Sequence, residues 1–246
     1  MKKFIGTSGY NYSHWGGVFY PKEWPKNKLL EYYSQFFNSV ELNVTFYRLP
    51  NQSVFKNWQR KTPSEFKFVI KGSRFITHVK RLKEVKNSLE MFFENASYLG
   101  EKLICILWQL PASFKFNLER LKGFIAELKN NKLAKRVLHS FEFRDKSWFN
   151  QKTFKVLREE NINLCIADSP RWPSQEVLTS NFLYLRFHGG KILYGSEYSE
   201  EELKKWTEKT KKWLKEVDTL FVFFNNDAYG FAIKNAKRFK ELLNEV

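Results

Sequence analysis

The feature that most constrains the fold is an eightfold alternation of short strand-like runs with longer amphipathic helical runs. The strand-like runs are rich in β-branched and aromatic residues, a composition typical of buried strands. They lie at Lys3–Gly6, Ser39–Asn43, Phe66–Lys71, Lys102–Gln109, Leu138–Arg144, Asn163–Asp168, Phe182–His188 and Thr219–Asn225. This alternation predicts repeated βα units, in which helices cover a parallel sheet.

Seven helical runs lie between or after these strands. They are Lys28–Phe37, Ser53–Arg60, Val85–Leu99, Leu118–Leu128, Gln151–Glu160, Ser199–Val217 and Ala228–Asn244. Eight strands in 246 residues predict a single (β/α)8 TIM-type barrel domain over residues 1–246, with an open doubly wound sheet as the alternative. Because Pro170 and Pro173 follow the sixth strand, we expect the helix after it to be weak or missing.

Two serines are predicted to begin helices. Ser199 precedes three glutamates, so a capping box should pair Ser199 with Glu202. Ser53 stands directly before the apolar Val54 and is predicted to cap the second helical run.

The chain is strongly basic. It has 42 Lys and Arg residues against 26 Asp and Glu residues, a formal net charge of +16. An anionic small molecule or a nucleic acid as partner is one explanation. Many of the lysines are dispersed along one helical run, from Lys204 to Lys215, as is typical of a solvated helix face. We therefore interpret most of the charge as a general surface property.

The sequence predicts a cytoplasmic protein with no membrane contact. The first residues turn polar too early for a secretory signal, and no apolar run reaches the length of about 18 residues that a membrane span needs. Cys105 and Cys165 both lie in apolar runs. They are predicted to be buried free thiols, as expected in a reducing compartment.

Alternation along the strands places charged residues on the inside of the predicted barrel, near the carboxyl ends of the strands. In the fifth strand Glu142 and Arg144 share one face, and phenylalanines occupy the other. In the seventh strand Arg186 and His188 share one face in the same way. Charged groups inside a hydrophobic barrel cost several kcal/mol unless they are paired or functional. Active sites of TIM barrels lie at this end, so we place the candidate site there.

Several segments together resemble the YecE-like family, also called domain-of-unknown-function family 72. They occur in order over nearly the whole chain: Gly6–Tyr10, Trp15, Gly17–Pro21, Val40–Tyr47, Lys71–Arg81, Gln109–Pro111, Glu142–Arg144, Ser147–Trp148, Asp168–Pro170, Leu185–Gly189, Phe224–Asp227, Gly230, Ala232 and Asn235–Ala236. The resemblance implies a TIM-type barrel, in agreement with the strand count. It implies no particular reaction, because the biochemical role of that family is not established.

The polar strand ends predict an enzyme, a hydrolase, lyase or isomerase, that acts on an anionic substrate or on one that contains a sugar or a phosphate. Glu142 or Asp168 is the candidate general base, and His188 is its acid partner. Glu41 is a further candidate carboxylate, and Arg144 with Arg186 is predicted to clamp a phosphate or carboxylate. The candidate substrate-binding residues are Lys71, Arg74, His78, Gln109, Arg144, Trp148, Arg186, Asn225, Asn226, Asp227, Tyr10, Trp15 and Tyr47.

The sequence indicates no cofactor, because it contains no dinucleotide-binding, phosphate-loop or HExxH pattern. A divalent metal ion remains an alternative, with a ligand set drawn from Glu41, Glu142, Asp168, His188 and Asp227.

Two other functions stay open. A nucleic-acid-binding protein would use a basic, aromatic-rimmed surface around Arg74, Lys80 and Arg81. A non-catalytic scaffold barrel would show ordinary pKa values for its inward acids. Glu142→Gln separates the alternatives: a catalytic role predicts an intact but inactive fold, and a structural role predicts unfolding.

Overall fold

Parallel strands alternate with helices throughout the protein, for which a computed structural model describes residues 1–245. The strands are β1 (Lys2–Thr7), β2 (Ser39–Leu42), β3 (Lys67–Lys71), β4 (Leu103–Gln109), β5 (Leu138–Glu142), β6 (Asn163–Leu164), β7 (Ile166–Asp168), β8 (Phe182–Phe187) and β9 (Thr219–Phe224). The helices are α1 (Leu29–Tyr33), α2 (Val44–Tyr47), α3 (Gln52–Arg60), α4 (Lys86–Ala96), α5 (Leu118–Asn130), α6 (Gln151–Glu159), α7 (Glu200–Trp213) and α8 (Phe231–Asn244). All eight predicted strands are present, the sixth as the two pieces β6 and β7.

The strands close into a ring. One sheet has the order β2-β3-β4-β5-β6 and the other the order β1-β9-β8-β7, with every pair parallel. On one side, β6 runs directly into β7 through Cys165, whose amide donates to the carbonyl of Phe141 at 2.8 Å. On the other side, a parallel bridge between Ser8 and Glu41 joins the end of β1 to β2. The predicted TIM-type barrel is confirmed, and the open-sheet alternative is wrong.

Alternation along the strands divides the apolar residues into two groups. The inward group fills the barrel with Val69, Cys105, Leu107, Cys165, Phe182, Tyr184, Phe221 and Phe223. The much larger outward group packs between the strands and the helices. Both cysteines are buried and unlinked, as predicted. The interior is therefore solid through most of its height, and its carboxyl end, here called the mouth, carries a buried charged cluster.

The segment after β7 has no helix, in agreement with the prediction from its two prolines. The loop instead lays Trp172 across the mouth, where its ring centroid lies 6.0 Å from that of His188. The missing helix thus leaves room for a loop that takes part in the candidate site. None of the helices within residues 1–245 is both long and apolar enough to cross a membrane.

Helix caps agree with the sequence analysis in one case and correct it in another. Ser199 and Glu202 form the predicted capping box at the start of α7. The cap of α3 is Asn51 and not Ser53, because the Asn51 side chain accepts the amide of Val54 at 3.2 Å. The Ser53 hydroxyl donates to Asn51 at 2.7 Å instead.

The two residues at the start of α3 allow a direct stability test. We expect Asn51→Ala to lower the free energy of unfolding by about 1 kcal/mol, since an amide of the first turn loses its acceptor. Ser53→Ala is the matched control and should change it by less than about 0.5 kcal/mol. Urea denaturation followed by circular dichroism measures both, and a larger loss in the serine variant would contradict the assignment.

Candidate active site at the barrel mouth

Arg186 links two carboxylates across the barrel. It lies in β8 and is 1% exposed, while Glu41 of β2 and Glu142 of β5 are 0% and 2% exposed. Its Nε and NH2 donate to the two oxygens of Glu41 at 3.0 and 2.7 Å, and its NH1 donates to Glu142. Arg186, Glu41 and Glu142 together are called the arginine bridge. Because every guanidinium nitrogen already holds a carboxylate, the expectation that Arg186 clamps a substrate anion is corrected.

Both carboxylate oxygens of Glu41 accept hydrogen bonds from other side chains of the protein. Besides Arg186, it accepts hydrogen bonds from the hydroxyl of Ser8 at 2.6 Å and from that of Tyr184 at 2.5 Å. Burial opposes ionisation of Glu41, but the charge of Arg186 and these hydrogen bonds outweigh it and lower the pKa. Glu41 therefore stays ionised and holds the barrel together at this level.

Arg144 binds the other side of Glu142 and keeps part of its guanidinium free. Its Nε donates to Glu142 at 2.9 Å, and its guanidinium lies 3.7 Å from the ring centroid of Trp172. Within residues 1–245 its NH1 and NH2 make no hydrogen bond. Burial again opposes ionisation of Glu142, but Arg186 and Arg144 hold its pKa well below the usual range. A carboxylate so strongly stabilised is a weak base, which corrects the prediction of Glu142 as general base.

Lys71 ends β3 inside the mouth and is 8% exposed. Its Nζ lies 4.1 Å from the ring centroid of Phe46 and has no hydrogen bond or ion pair in the part of the chain that the structure describes. Burial is the largest cause that lowers the pKa of Lys71, and the charges of Arg186 and Arg144 lower it further, to about 7. Lys71 thus changes its charge near neutral pH, in contrast to an ordinary lysine.

His78 lies on the same side of the mouth as Lys71, among several positively charged side chains. It lies in the π-helical turn Phe75–Val79, and its ring centroid is 4.9 Å from that of Phe46. Burial is the first cause that lowers its pKa to about 4. Four cations lower it further: Lys71, Arg144, Arg74 and Arg81. This side of the mouth is therefore positive, and Arg74 extends the positive region to the exposed rim.

His188 is completely buried beside the arginine bridge. Its Nε2 lies 3.7 Å from a carboxylate oxygen of Glu142, and its Nδ1 lies 3.1 Å from the side-chain nitrogen of Asn225. Burial, followed by the charge of Arg186, lowers its pKa to about 4. His188 is consequently neutral at pH 7. A neutral, buried imidazole does not fit its predicted role as acid partner, and the predicted substrate contact Asn225 lies against its ring.

Asp168 does not join the cluster. It ends β7 on the side that faces the helices, where the hydroxyl of Tyr198 and the indole of Trp206 are its polar neighbours. Burial raises the pKa of its carboxyl. Only its backbone touches the site, because its carbonyl accepts the amide of His188 at 2.9 Å. The prediction of Asp168 as general base is therefore corrected by the direction of its side chain.

Of the four polar residues predicted from the fourth and eighth strand ends, the three besides Asn225 are held by other parts of the chain. Gln109 is buried and donates to the carbonyl of Leu110 at 2.9 Å. Asn226 is buried and donates to the carbonyl of Ser196 at 2.9 Å. Asp227 is half-buried, and its carboxylate lies 3.5 Å from His14, while burial raises its pKa. Asn226 and Asp227 thus connect loops at the top of the barrel, whereas Gln109 contacts only the neighbouring residue.

The predicted aromatic residues separate into core and rim. Trp15 and Trp148 are both 0% exposed, so their prediction as substrate contacts is corrected. The indole nitrogen of Trp148 donates to the carbonyl of Phe114 at 2.6 Å. Tyr10 is half-buried and its hydroxyl accepts from Trp58 at 3.0 Å. Tyr47 is 77% exposed at the rim and is available for contact.

Sequence reasoning left three residues of the site without a role. Tyr184 and Ser8 complete the shell of Glu41, and Trp172 supports Arg144. The strand alternation that turned Arg186 inward also turns Tyr184 inward, one step deeper. The alternation could therefore have identified Tyr184, whereas the contact of Trp172 with Arg144 depends on the path of a loop.

In the part of the chain that the structure describes, the acidic and histidine side chains at the mouth do not come together as a metal-binding group. Within residues 1–245, no set of three or more His, Cys, Asp or Glu side chains is arranged to hold a metal ion. Arg186 stands between Glu41 and Glu142, and Asp168 points away, so the proposed ligands are not assembled.

Comparison with known proteins identifies the family. The model of the family described as "Protein of unknown function DUF72" matches residues 4–246. A curated relative, UPF0759 protein YunF of Bacillus subtilis, is 27% identical and covers 98% of this chain and 94% of its own length. The crystal structure of a DUF72 family protein from Thermotoga maritima is 33% identical, with a TM-score of 0.86 and full coverage of both chains.

The fold is also shared outside that family. The structure of D-psicose 3-epimerase from Clostridium cellulolyticum, solved with D-tagatose, has a TM-score of 0.60 at 8% identity. It covers 99% of this chain and 98% of its own. At that identity the likeness concerns the barrel alone.

The arginine bridge predicts how the protein responds to loss of one carboxylate. Glu142→Gln leaves Arg186 and Arg144 buried with one negative partner fewer, so we expect the free energy of unfolding to fall by about 3–5 kcal/mol. Glu94→Gln on the exposed face of α4 is the control and should change it by less than about 0.5 kcal/mol. Thermal and urea denaturation measure both variants. An unchanged stability of Glu142→Gln would show that the bridge does not hold the mouth.

Proposed function

The chain belongs to the DUF72 family, whose description assigns no function, and we propose that it is an enzyme acting on a small anionic substrate at the barrel mouth. The substrate class is a carboxylate or a phosphorylated, sugar-like compound. The observation that carries the proposal is the free edge of Arg144. Glu142 and Trp172 fix this guanidinium in place, yet its terminal nitrogens have no partner within residues 1–245.

A fixed guanidinium with free N–H groups is suited to bind an anion. Arginine binds carboxylates and phosphates through paired, charge-assisted hydrogen bonds. The cost of immobilising the side chain is already met here, because Glu142 and Trp172 orient it before any ligand arrives. The positive potential around His78 favours an anion on the same side of the mouth.

Lys71 supports an enzymatic function over simple binding. A pKa of about 7 means that both forms of the amine are populated at neutral pH, which suits proton transfer. Glu41 and Glu142 are committed to Arg186, and His188 is neutral. Lys71 is thus the candidate acid–base group, and the arginine bridge holds the surrounding residues in position.

A second candidate function is the binding of single-stranded nucleic acid. The observation that favours it is an exposed rim, with Tyr47 77%, Phe75 47% and Tyr229 78% exposed. Lys80 lies over the ring of Phe75 at 5.9 Å. Exposed rings beside basic groups can stack on bases while they neutralise phosphates. Such binding would weaken steeply as salt rises, unlike binding of a small anion by Arg144.

Calorimetric titration with sulfate tests the anion site, because the charge of sulfate is constant around neutral pH. We expect Arg144→Met to weaken sulfate binding by about tenfold or more, since two charge-assisted hydrogen bonds are lost. Arg60→Met, on the exposed end of α3, is the matched control and should bind as the wild type does.

The same titration, repeated with a single-stranded oligonucleotide in place of sulfate, separates the two candidate functions. Sulfate binding that depends on Arg144 supports the enzyme. The enzyme proposal fails if sulfate binds no differently to Arg144→Met, or if only an oligonucleotide binds and elevated salt abolishes that binding.

A further inference from the structure

Lys71 has a chemical setting that the arginines do not share. More than nine-tenths of its side chain is buried, and its amine contacts the face of Phe46 without a hydrogen-bond partner in residues 1–245. A buried, unpaired ammonium is costly, whereas a neutral amine in the same place costs less. The site therefore favours an amine with a free lone pair, which is a nucleophile.

The backbone around Lys71 is held firmly. The hydroxyl of Thr45 donates to the carbonyl of Lys71 at 2.7 Å. The next residue, Gly72, passes so close to Trp108 that a Cβ at this position would collide with the indole ring. Lys71 accordingly leaves the barrel wall from a fixed point, with Arg144 two strands away on the same mouth.

We propose that Lys71 forms an imine with the carbonyl carbon of a small anionic aldehyde or ketone whose charged group lies on Arg144. The inference rests on the proposed function and narrows its substrate to anionic carbonyl compounds. The charged group is either a carboxylate, as in a 2-oxo acid, or a phosphate, as in a phosphorylated aldehyde. Both present an anion for Arg144 and an electrophilic carbon for the amine.

The reaction balances without an oxidant or reductant. The lone pair of the neutral Lys71 amine forms a bond to the carbonyl carbon, and the π electrons of the C=O bond move to oxygen. The two protons of the amine leave with that oxygen as one molecule of water, and a C=N bond remains. Uptake of one proton from solvent gives the iminium, which can withdraw electrons from the neighbouring carbon.

Burial and the charges that face Lys71 explain why its amine is neutral often enough to react. The charges come from three strands: Glu41 of β2, Glu142 with Arg144 at the end of β5, and Arg186 of β8, while His78 of the π-helical turn also faces Lys71 but is neutral at pH 7. Burial lowers the pKa of Lys71 most, the two arginines lower it further, and the two glutamates offset them in part, which brings the pKa to about 7. Imine formation should therefore increase between about pH 6 and about pH 8.

Reductive trapping tests the proposal. Purified protein is incubated with pyruvate or glyceraldehyde 3-phosphate and sodium cyanoborohydride, which reduces an imine to a stable amine. Peptide mass spectrometry then locates the adduct. We expect Lys71 to be modified at least about tenfold faster than any other lysine, because burial beside two arginines favours its neutral, nucleophilic form. The pyruvate and phosphate arms distinguish the two sources of the anionic group.

Four variants and one neutral probe serve as controls. Lys71→Met and Lys71→Arg should both lose the adduct, and the second keeps a cation if the first folds poorly. Lys67→Met, on the same face of β3 at the opposite end of the barrel, should keep it. Uncharged glyceraldehyde should react with Lys71 more slowly, and Arg144→Met should remove that difference.

The outcomes distinguish the inference from the function on which it rests. Selective modification of Lys71 that depends on Arg144 supports both. Sulfate binding at Arg144 without a Lys71 adduct overturns the imine and leaves the anion site intact. Adducts spread evenly over surface lysines also overturn it. A Lys71 adduct that forms equally with charged and uncharged aldehydes overturns the anionic substrate class.

Discussion

The mouth of this barrel depends on one guanidinium shared by two carboxylates. Arg186 joins β8 to Glu41 of β2 and Glu142 of β5, so three strands far apart in sequence are tied together at the same height. Each ion costs several kcal/mol to bury, and only well-formed hydrogen bonds repay that cost. The shell of Tyr184 and Ser8 around Glu41 supplies such bonds.

The arginine bridge also decides which groups remain for chemistry. Both glutamates and all the nitrogens of Arg186 are engaged in the bridge. The positive charge of Arg186 also helps burial to keep His188 neutral. With Arg144 included, two carboxylates balance two guanidiniums, so the cluster is neutral before Lys71 is counted. Lys71 and the free edge of Arg144 have no ion-pair or hydrogen-bond partner within residues 1–245, and both lie on the positive side of the mouth.

Sequence patterns predicted the position of the site better than the roles of its residues. Alternation with period two fixes which face a strand residue occupies, so Glu142 and Arg186 were correctly placed inside the barrel. Their pairing could not be predicted, because it joins residues 44 positions apart through the closure of the ring. Trp148 illustrates the opposite error. An aromatic ring after a strand suits either a ligand or the core, and only the packing against Phe143 and Phe114 decides between them.

The arginine bridge commits Glu41 and Glu142, and we infer that this leaves Lys71 as the group at the mouth whose charge changes near neutral pH. Nuclear magnetic resonance of protein labelled with 13C at the lysine ε-carbon measures this directly, and loss of one signal in Lys71→Met assigns the resonance. We expect the Lys71 signal to titrate near pH 7. Titration near the ordinary lysine value of 10.5 would show instead that the Lys71 amine stays protonated at neutral pH and would contradict its assignment as the reactive group.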